Sequence, residues 1–173
     1  KKLLLHWKNI QTIAWVEQIH DIKSSVDKKT VGVKQIEASI VRCPDSEASD
    51  AMIERIHQAR KSGDSVGGII RAVVRNVPAG LGEPVFDKLT ADLAKGLMSL
   101  PATRGVEFGL GFDSVQLKGS EHNDPFVIRE GVIRTDTNLS GGIQGGISNG
   151  EDIDLRVSFK PTATINYEQD TVT

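Results

Sequence analysis

The first sustained pattern along the chain is an alternation. From Ile10 to Ile19, Ile13, Trp15 and Ile19 fall on one side and Ala14 and Val16 on the other, which predicts a strand. Apolar residues on both sides suggest a sheet covered on both faces. Polar residues from Lys23 to Thr30 predict a loop, and Val33 to Ile40 a short helical turn. The period then lengthens. Met52, Ile53, Ile56 and Ala59 make one helical stripe, with Ser49 as its expected N-cap and Gly63 placed to end it. A second strand is expected over Val66 to Val77, where Ile70, Ala72 and Val74 alternate with Arg71 and Arg75.

After the turn Val77-Pro-Ala-Gly-Leu-Gly-Glu-Pro84, Pro84 suits a first helical turn, and Phe86, Leu89, Leu93 and Leu97 form a core-facing stripe. From Arg104 the period returns to two, with Val106, Phe108, Leu110 and Phe112 alternating against Glu107, Gly109 and Gly111. Phe126-Val-Ile128 and Val132-Ile-Arg134 flank Arg129-Glu-Gly131 as a hairpin. In the clearest strand, Ile153, Leu155, Val157 and Phe159 face one way, and Asp154, Arg156, Ser158 and Lys160 the other. Hairpin-forming strands late in the chain favour an α+β class, a layered β-α-β sandwich of mostly antiparallel sheet with packed helices.

A length of 173 residues fits a single domain over 1–173, and 38% hydrophobic with 25% charged residues is ordinary globular usage. A net charge of -2 with interspersed signs argues against nucleic acid as a partner. No run approaches a membrane span, so no membrane partner is expected. The single cysteine, Cys43, excludes an internal disulfide framework and suits a reducing, cytoplasmic compartment. The opening Lys1-Lys2-Leu3-Leu4-Leu5 reads as the last turns of a helix, and Asp170-Thr171-Val172-Thr173 as a shortened strand. Both ends lead us to expect a piece of a longer chain.

Candidate chemistry concentrates in three segments. Ser140 to Gly150 holds five glycines in eleven residues, which lets backbone N–H groups approach a ligand closely. The spacing fits neither a Walker loop nor a dinucleotide fingerprint, and a bend between strands is the plainer reading. Lys160-Pro-Thr-Ala-Thr-Ile165 ends a strand in a cation followed by two hydroxyls, a reasonable holder of a phosphate monoester. Ser99-Leu-Pro-Ala-Thr-Arg-Gly-Val-Glu107 joins helix to strand, with Arg104 available to an anion. Of the histidines only His122, in Gly119-Ser-Glu-His-Asn-Asp124, sits among polar loop residues; no pairing has zinc spacing, so no metal is expected. Asp152 and Asp154 share one side of a strand start, a pattern that usually marks a solvated face.

Seven segments, in order, carry a resemblance: Arg42-Cys-Pro-Asp45, Gly63-Asp-Ser-Val-Gly67, Val77 to Leu89, Leu97 to Glu107, Gly119 to Asp124, Gly141 to Gly150, and Phe159 to Ile165. Together they resemble chorismate synthase from about Ile10 onward. The resemblance implies a carbon–oxygen lyase that converts 5-enolpyruvylshikimate 3-phosphate to chorismate by 1,4-anti elimination of phosphate. It also implies reduced FMN as cofactor, with NADPH serving those members that reduce their own flavin, and a homotetramer, cytoplasmic or plastid. By motif, FMN contacts are expected at Pro101, Ala102, Gly145, Lys160, Pro161, Thr162, Ala163 and Thr164.

The family's Gly-Glu-Ser-His, arginine-rich, Arg-Ser-Ser and Arg-His-Asp-Pro segments do not occur in this sequence, and no catalytic residue is assigned. Leu139 also stands where a polar residue is common. These 173 residues alone are therefore expected to be inactive. A non-catalytic flavin- or nucleotide-binding module and a structural assembly domain remain alternatives.

Overall fold

The computed structural model describes residues 2–168; the strand expected at Asp170 to Thr173 lies outside them. In chain order the elements are α1 (Lys2–Lys8), β1 (Gln11–Ile19), β2 (Ile22–Lys23), α2 (Val33–Glu37), α3 (Ser46–Lys61), β3 (Gly68–Arg75), α4 (Leu89–Met98) and β4 (Thr103–Phe108). A 3-10 turn over Gly111–Gln116 follows, then α5 (Gly119–His122), β5 (Phe126–Arg129), β6 (Val132–Thr135), β7 (Ile143–Gln144), β8 (Ile147–Ser148) and β9 (Ile153–Phe159). One five-stranded sheet has the order β2-β1-β3-β9-β4, and β5-β6 and β7-β8 form separate antiparallel pairs. The α+β class expected from the sequence is what the chain adopts.

The described residues group into two compact units: 2–14, 71–101 and 105–157 in the first, and 15–70, 102–104 and 158–168 in the second. The divisions fall inside β1, β3, β4 and β9, so each of these strands contributes to both.

In the second unit α3 carries the core. Met52 and Cys43 are wholly buried beside Ala48, with Val16, Ile19, Ile22 and Val41 packed against them. The helix begins earlier than its apolar stripe predicts. Asp45, not Ser49, is the N-cap, its carboxylate accepting the Ala48 N–H at 3.1 Å. Amides of Ser25 and Ala48 hold that carboxyl below its usual value. Ser49 is instead buried within the helix, its hydroxyl 2.7 Å from that of Ser39. Gly63, at φ 73°, follows the helix end as expected. Lys23, the first residue of the expected loop, instead ends β2, which closes on β1 by the register Gln18↔Lys23 and Ile19↔Ile22.

In the first unit three expectations are corrected. The helix after the proline turn starts at Leu89, not near Pro84, and Phe86 is 88% exposed instead of joining the stripe. No residue of α4 is fully buried. Strand β4 stops at Phe108, because Gly109 and Gly111 take φ of 57° and 58° and turn the chain. A Cβ at Gly109 would collide with the Leu139 carbonyl, so glycine is required there by space as well as conformation. Phe112 is consequently 77% exposed.

The third correction concerns the polar side of β9. Asp154 is not solvated but 1% exposed, gripped bidentately by Arg71 with Nε–Oδ1 2.8 Å and Nη2–Oδ2 2.7 Å. Arg156 pairs with Glu107 at 2.7 Å, and Arg75 lies 4.0 Å from Asp152. Charges with so little access to water are kept by pairing, and β9 pairs Asp154 and Arg156 with its neighbouring strands.

Candidate functional site

In the second unit, β9 ends at Phe159 and the chain continues through Lys160, Pro161, Thr162, Ala163 and Thr164, all but Phe159 exposed. The Lys160 N–H donates to the Ala102 carbonyl at 3.0 Å. This contact brings together two segments that the sequence singled out separately. Pro101, exposed, precedes Ala102 in the chain, and Ala102 holds the left-handed region at φ 67°. Among the described residues the Lys160 side chain has no ion-pair partner, which suits a cation kept for a ligand. Thr103, next along the chain, is 2% exposed, and its hydroxyl has no hydrogen-bond partner among the described residues. Arg104 turns its guanidinium onto the Thr103 carbonyl at 2.9 Å.

The course of 159–166 is set by Gly63-Asp-Ser-Val-Gly67. A Cβ on Gly67 would stand 2.5 Å from the Phe159 carbonyl oxygen and 3.0 Å from the Pro161 ring, so only glycine lets the two backbones pass. The Ser65 hydroxyl donates to the Thr162 carbonyl at 2.6 Å, and the Asn166 N–H to the Gly63 carbonyl at 3.0 Å. In the sequence these residues only match a pattern; in the fold they fix the segment that follows the strand.

In the first unit, the glycine-rich stretch is not a plain bend. It contains β7 and β8, paired Ile143↔Ser148 and Gln144↔Ile147, with Gly145 and Gly146 as a two-residue turn at φ 61° and 92°. The Gly146 carbonyl accepts the Leu89 N–H at 2.8 Å, fastening the turn to the start of α4. Gly145 is exposed, with open space where a Cβ would stand. It belongs to a different unit from Lys160.

Asp124 organises the approach to this hairpin. It is 1% exposed, and its carboxylate accepts the Thr137 hydroxyl at 2.5 Å and the Leu139 and Ser140 amides at 2.8 Å each. Burial would raise its pKa, yet the donors from Thr137, Leu139 and Ser140 outweigh it and hold the carboxyl below its ordinary value. Asn138 continues the frame, accepting the Gly142 N–H at 2.6 Å and donating to the Asp152 carbonyl at 2.8 Å. The sequence drew attention to His122 in this motif. The structure places His122 half-buried at the end of α5, and gives the ordering role to its neighbour Asp124. A lone aspartate carries no periodicity or spacing by which to find it.

Among the described residues, no cluster of His, Cys, Asp and Glu could hold a metal, and no helix is long and apolar enough to cross a membrane.

The family model for chorismate synthase matches residues 1–173. Chorismate synthase of Prochlorococcus marinus strain AS9601 is 58% identical over 174 residues, covering 99% of this chain and 48% of that protein. That of Nostoc punctiforme is 60% identical over 174 residues, covering 100% of this chain and 48% of its own. A crystal structure of chorismate synthase superposes with a TM-score of 0.81 at 29% identity, over 91% of this chain and 51% of that one. The chain thus spans about half the length of the curated relatives it matches.

Proposed function

Because the chain belongs to the chorismate synthase family, we propose that it supplies part of the reduced-FMN site of a carbon–oxygen lyase. The enzyme would take 5-enolpyruvylshikimate 3-phosphate to chorismate and inorganic phosphate by 1,4-anti elimination. When bound, reduced flavin would lend electron density to the substrate while its C–O bond to phosphate breaks. This chain's residues bind and orient. Lys160, with the hydroxyls of Thr162 and Thr164, receives the phosphate of FMN as a charge-assisted anchor. Pro161 and Ala163 shape the same segment, and Ala102 adjoins it through its carbonyl. Pro101 and Gly145, in the first unit, complete the expected contacts, Gly145 offering backbone without a side chain in the way.

The observation that carries this reading is the 3.0 Å hydrogen bond from Lys160 to Ala102, which joins the two FMN segments of the second unit. The residues present fit the group: an exposed lysine without an ion-pair partner among the described residues and two exposed threonines follow a strand end whose path is fixed by glycine and Ser65. The same reading includes a homotetramer acting in aromatic amino-acid biosynthesis, in the cytoplasm or, in a plant or alga, the plastid. NADPH would enter only as the source of flavin reduction.

The test is a titration of the chain with FMN, followed by flavin fluorescence, with riboflavin as control. Saturable binding of FMN and none of riboflavin is expected, together with about a tenfold or greater loss of FMN affinity in Lys160→Ala, the scale of one hydrogen bond to a charged group. Equal binding of both flavins, or unchanged affinity in Lys160→Ala, would remove the phosphate anchor from this segment.

A further inference from the structure

We propose that Asp124 is a positioning residue for the FMN site: its carboxylate sets Leu139 and Ser140, and through them the placement of Gly145. The inference rests on reading Gly145 as an FMN contact. Asp124 and its three donors are far apart in sequence, separated by the β5-β6 hairpin, so the carboxylate closes the base of that hairpin onto the glycine stretch. A second closure lies alongside, from the Asp136 N–H to the Pro125 carbonyl at 2.9 Å.

From the carboxylate the constraint runs outward without a gap. Leu139 and Ser140 lie between Asn138 and Gly141; Asn138 ties Gly142 to the Asp152 carbonyl; the Asn149 N–H donates to the Gly142 carbonyl at 3.1 Å. The Asn149 side chain then donates to the Gln144 amide oxygen at 3.1 Å, one residue from Gly145. Gly141 and Gly142 are also packed tightly: a Cβ on Gly141 would meet the Gly109 backbone, and one on Gly142 the Asp152 carbonyl at 2.6 Å. The hairpin tip is therefore held from its root, where the Asp124 carboxylate takes the Leu139 and Ser140 amides.

The charge has a further consequence. A bare carboxylate beside a site for an anionic ligand would repel it, but here the negative charge is buried and spread over two amides and a hydroxyl. An amide side chain cannot replace it. If asparagine kept its oxygen toward Thr137 and Leu139, its NH2 would face the Ser140 N–H, donor against donor.

The experiment measures FMN affinity and amide hydrogen exchange in the wild-type chain, Asp124→Asn, Thr137→Val, and Met52→Ala as a destabilised control from the second unit's core. Asp124→Asn is expected to raise the FMN Kd about tenfold and Thr137→Val about threefold, consistent with loss of hydrogen bonds to a charged group. Exchange should quicken at Leu139, Ser140 and Gly142 in Asp124→Asn. Met52→Ala should lower stability and leave the Kd unmoved, a split that a merely structural role for Asp124 would not produce. Should Asp124→Asn not fold, Thr137→Val decides alone: a Kd shift without loss of fold supports the assignment, and an unchanged Kd overturns it. Wild-type binding of FMN with the same Kd in both variants ends this inference and leaves Lys160 as an anchor. A folded wild-type chain that binds no FMN ends the underlying reading as well.

Discussion

Two of the segments proposed to contact FMN are held by opposite means. After β9, residues 159–166 are held by backbone passing close to backbone, where Gly67 removes the side chain that would block the crossing and Ser65 adds one hydroxyl. The glycine hairpin of the first unit is held instead by side chains, the buried Asp124 and the half-buried Asn138, reaching for its amides. The first arrangement depends on shape and tolerates no added atom. The second depends on charge and hydrogen bonding, and tolerates no lost acceptor. A lysine anchor can sit on the first because it needs only a fixed strand end. A backbone contact at Gly145 needs the second, since a chain rich in glycine has little local preference of its own.

Substitutions can break this contrast. Gly67→Ala should have the largest effect, about 3 kcal/mol of lost stability, from overpacking against a carbonyl that cannot retreat; chemical denaturation would measure it, and FMN affinity should fall with it. Asp124→Ala should cost about 2 kcal/mol, because two buried amides lose their acceptor. Its pH dependence gives the sign. The Asp124 carboxyl is depressed in the folded chain, so its contribution is fully present above the unfolded value near pH ~3.9 and lost as pH falls through the lower folded value. Acid unfolding followed by circular dichroism should be less steep in the variant over that range.

Gly145→Ala sharpens the comparison further. Nothing crowds a Cβ there, so only the positive φ is penalised, about 1 kcal/mol. A loss of FMN affinity well beyond that change in stability would locate the ligand against Gly145; equal losses would leave it a turn glycine. Ser65→Ala should be the mildest, about 0.5–1 kcal/mol for one exposed hydroxyl, with FMN affinity reduced less than in Lys160→Ala.

The elements with a strong apolar period were legible: β1, α3, β3 and β9 lie where alternation or a helical stripe put them, within a residue or a few. What failed did so for local reasons. The cap of α3 was read from the stripe and missed Asp45, because a capping carboxylate lies outside the apolar pattern. Alternation past Phe108 predicted more strand, but two glycines at positive φ turned it. The pattern marks Asp154 only as polar and does not show that Arg71 stands opposite it. In the candidate site, Lys160 and the glycines were visible as residue types. The parts that place them, Gly67, Ser65 and Asp124, were not, since their role exists only across contacts distant in sequence.

Cys43, the chain's single cysteine, lies wholly buried against Met52, and burial pushes its thiol up from the ordinary range. It is therefore a built-in clock for the second unit. An alkylating reagent reaches the sulfur only when α3 lifts from its strands, so the labelling rate counts openings of that unit. With no other thiol in the sequence to label, no engineered probe is needed to follow how often the lysine-bearing half comes apart.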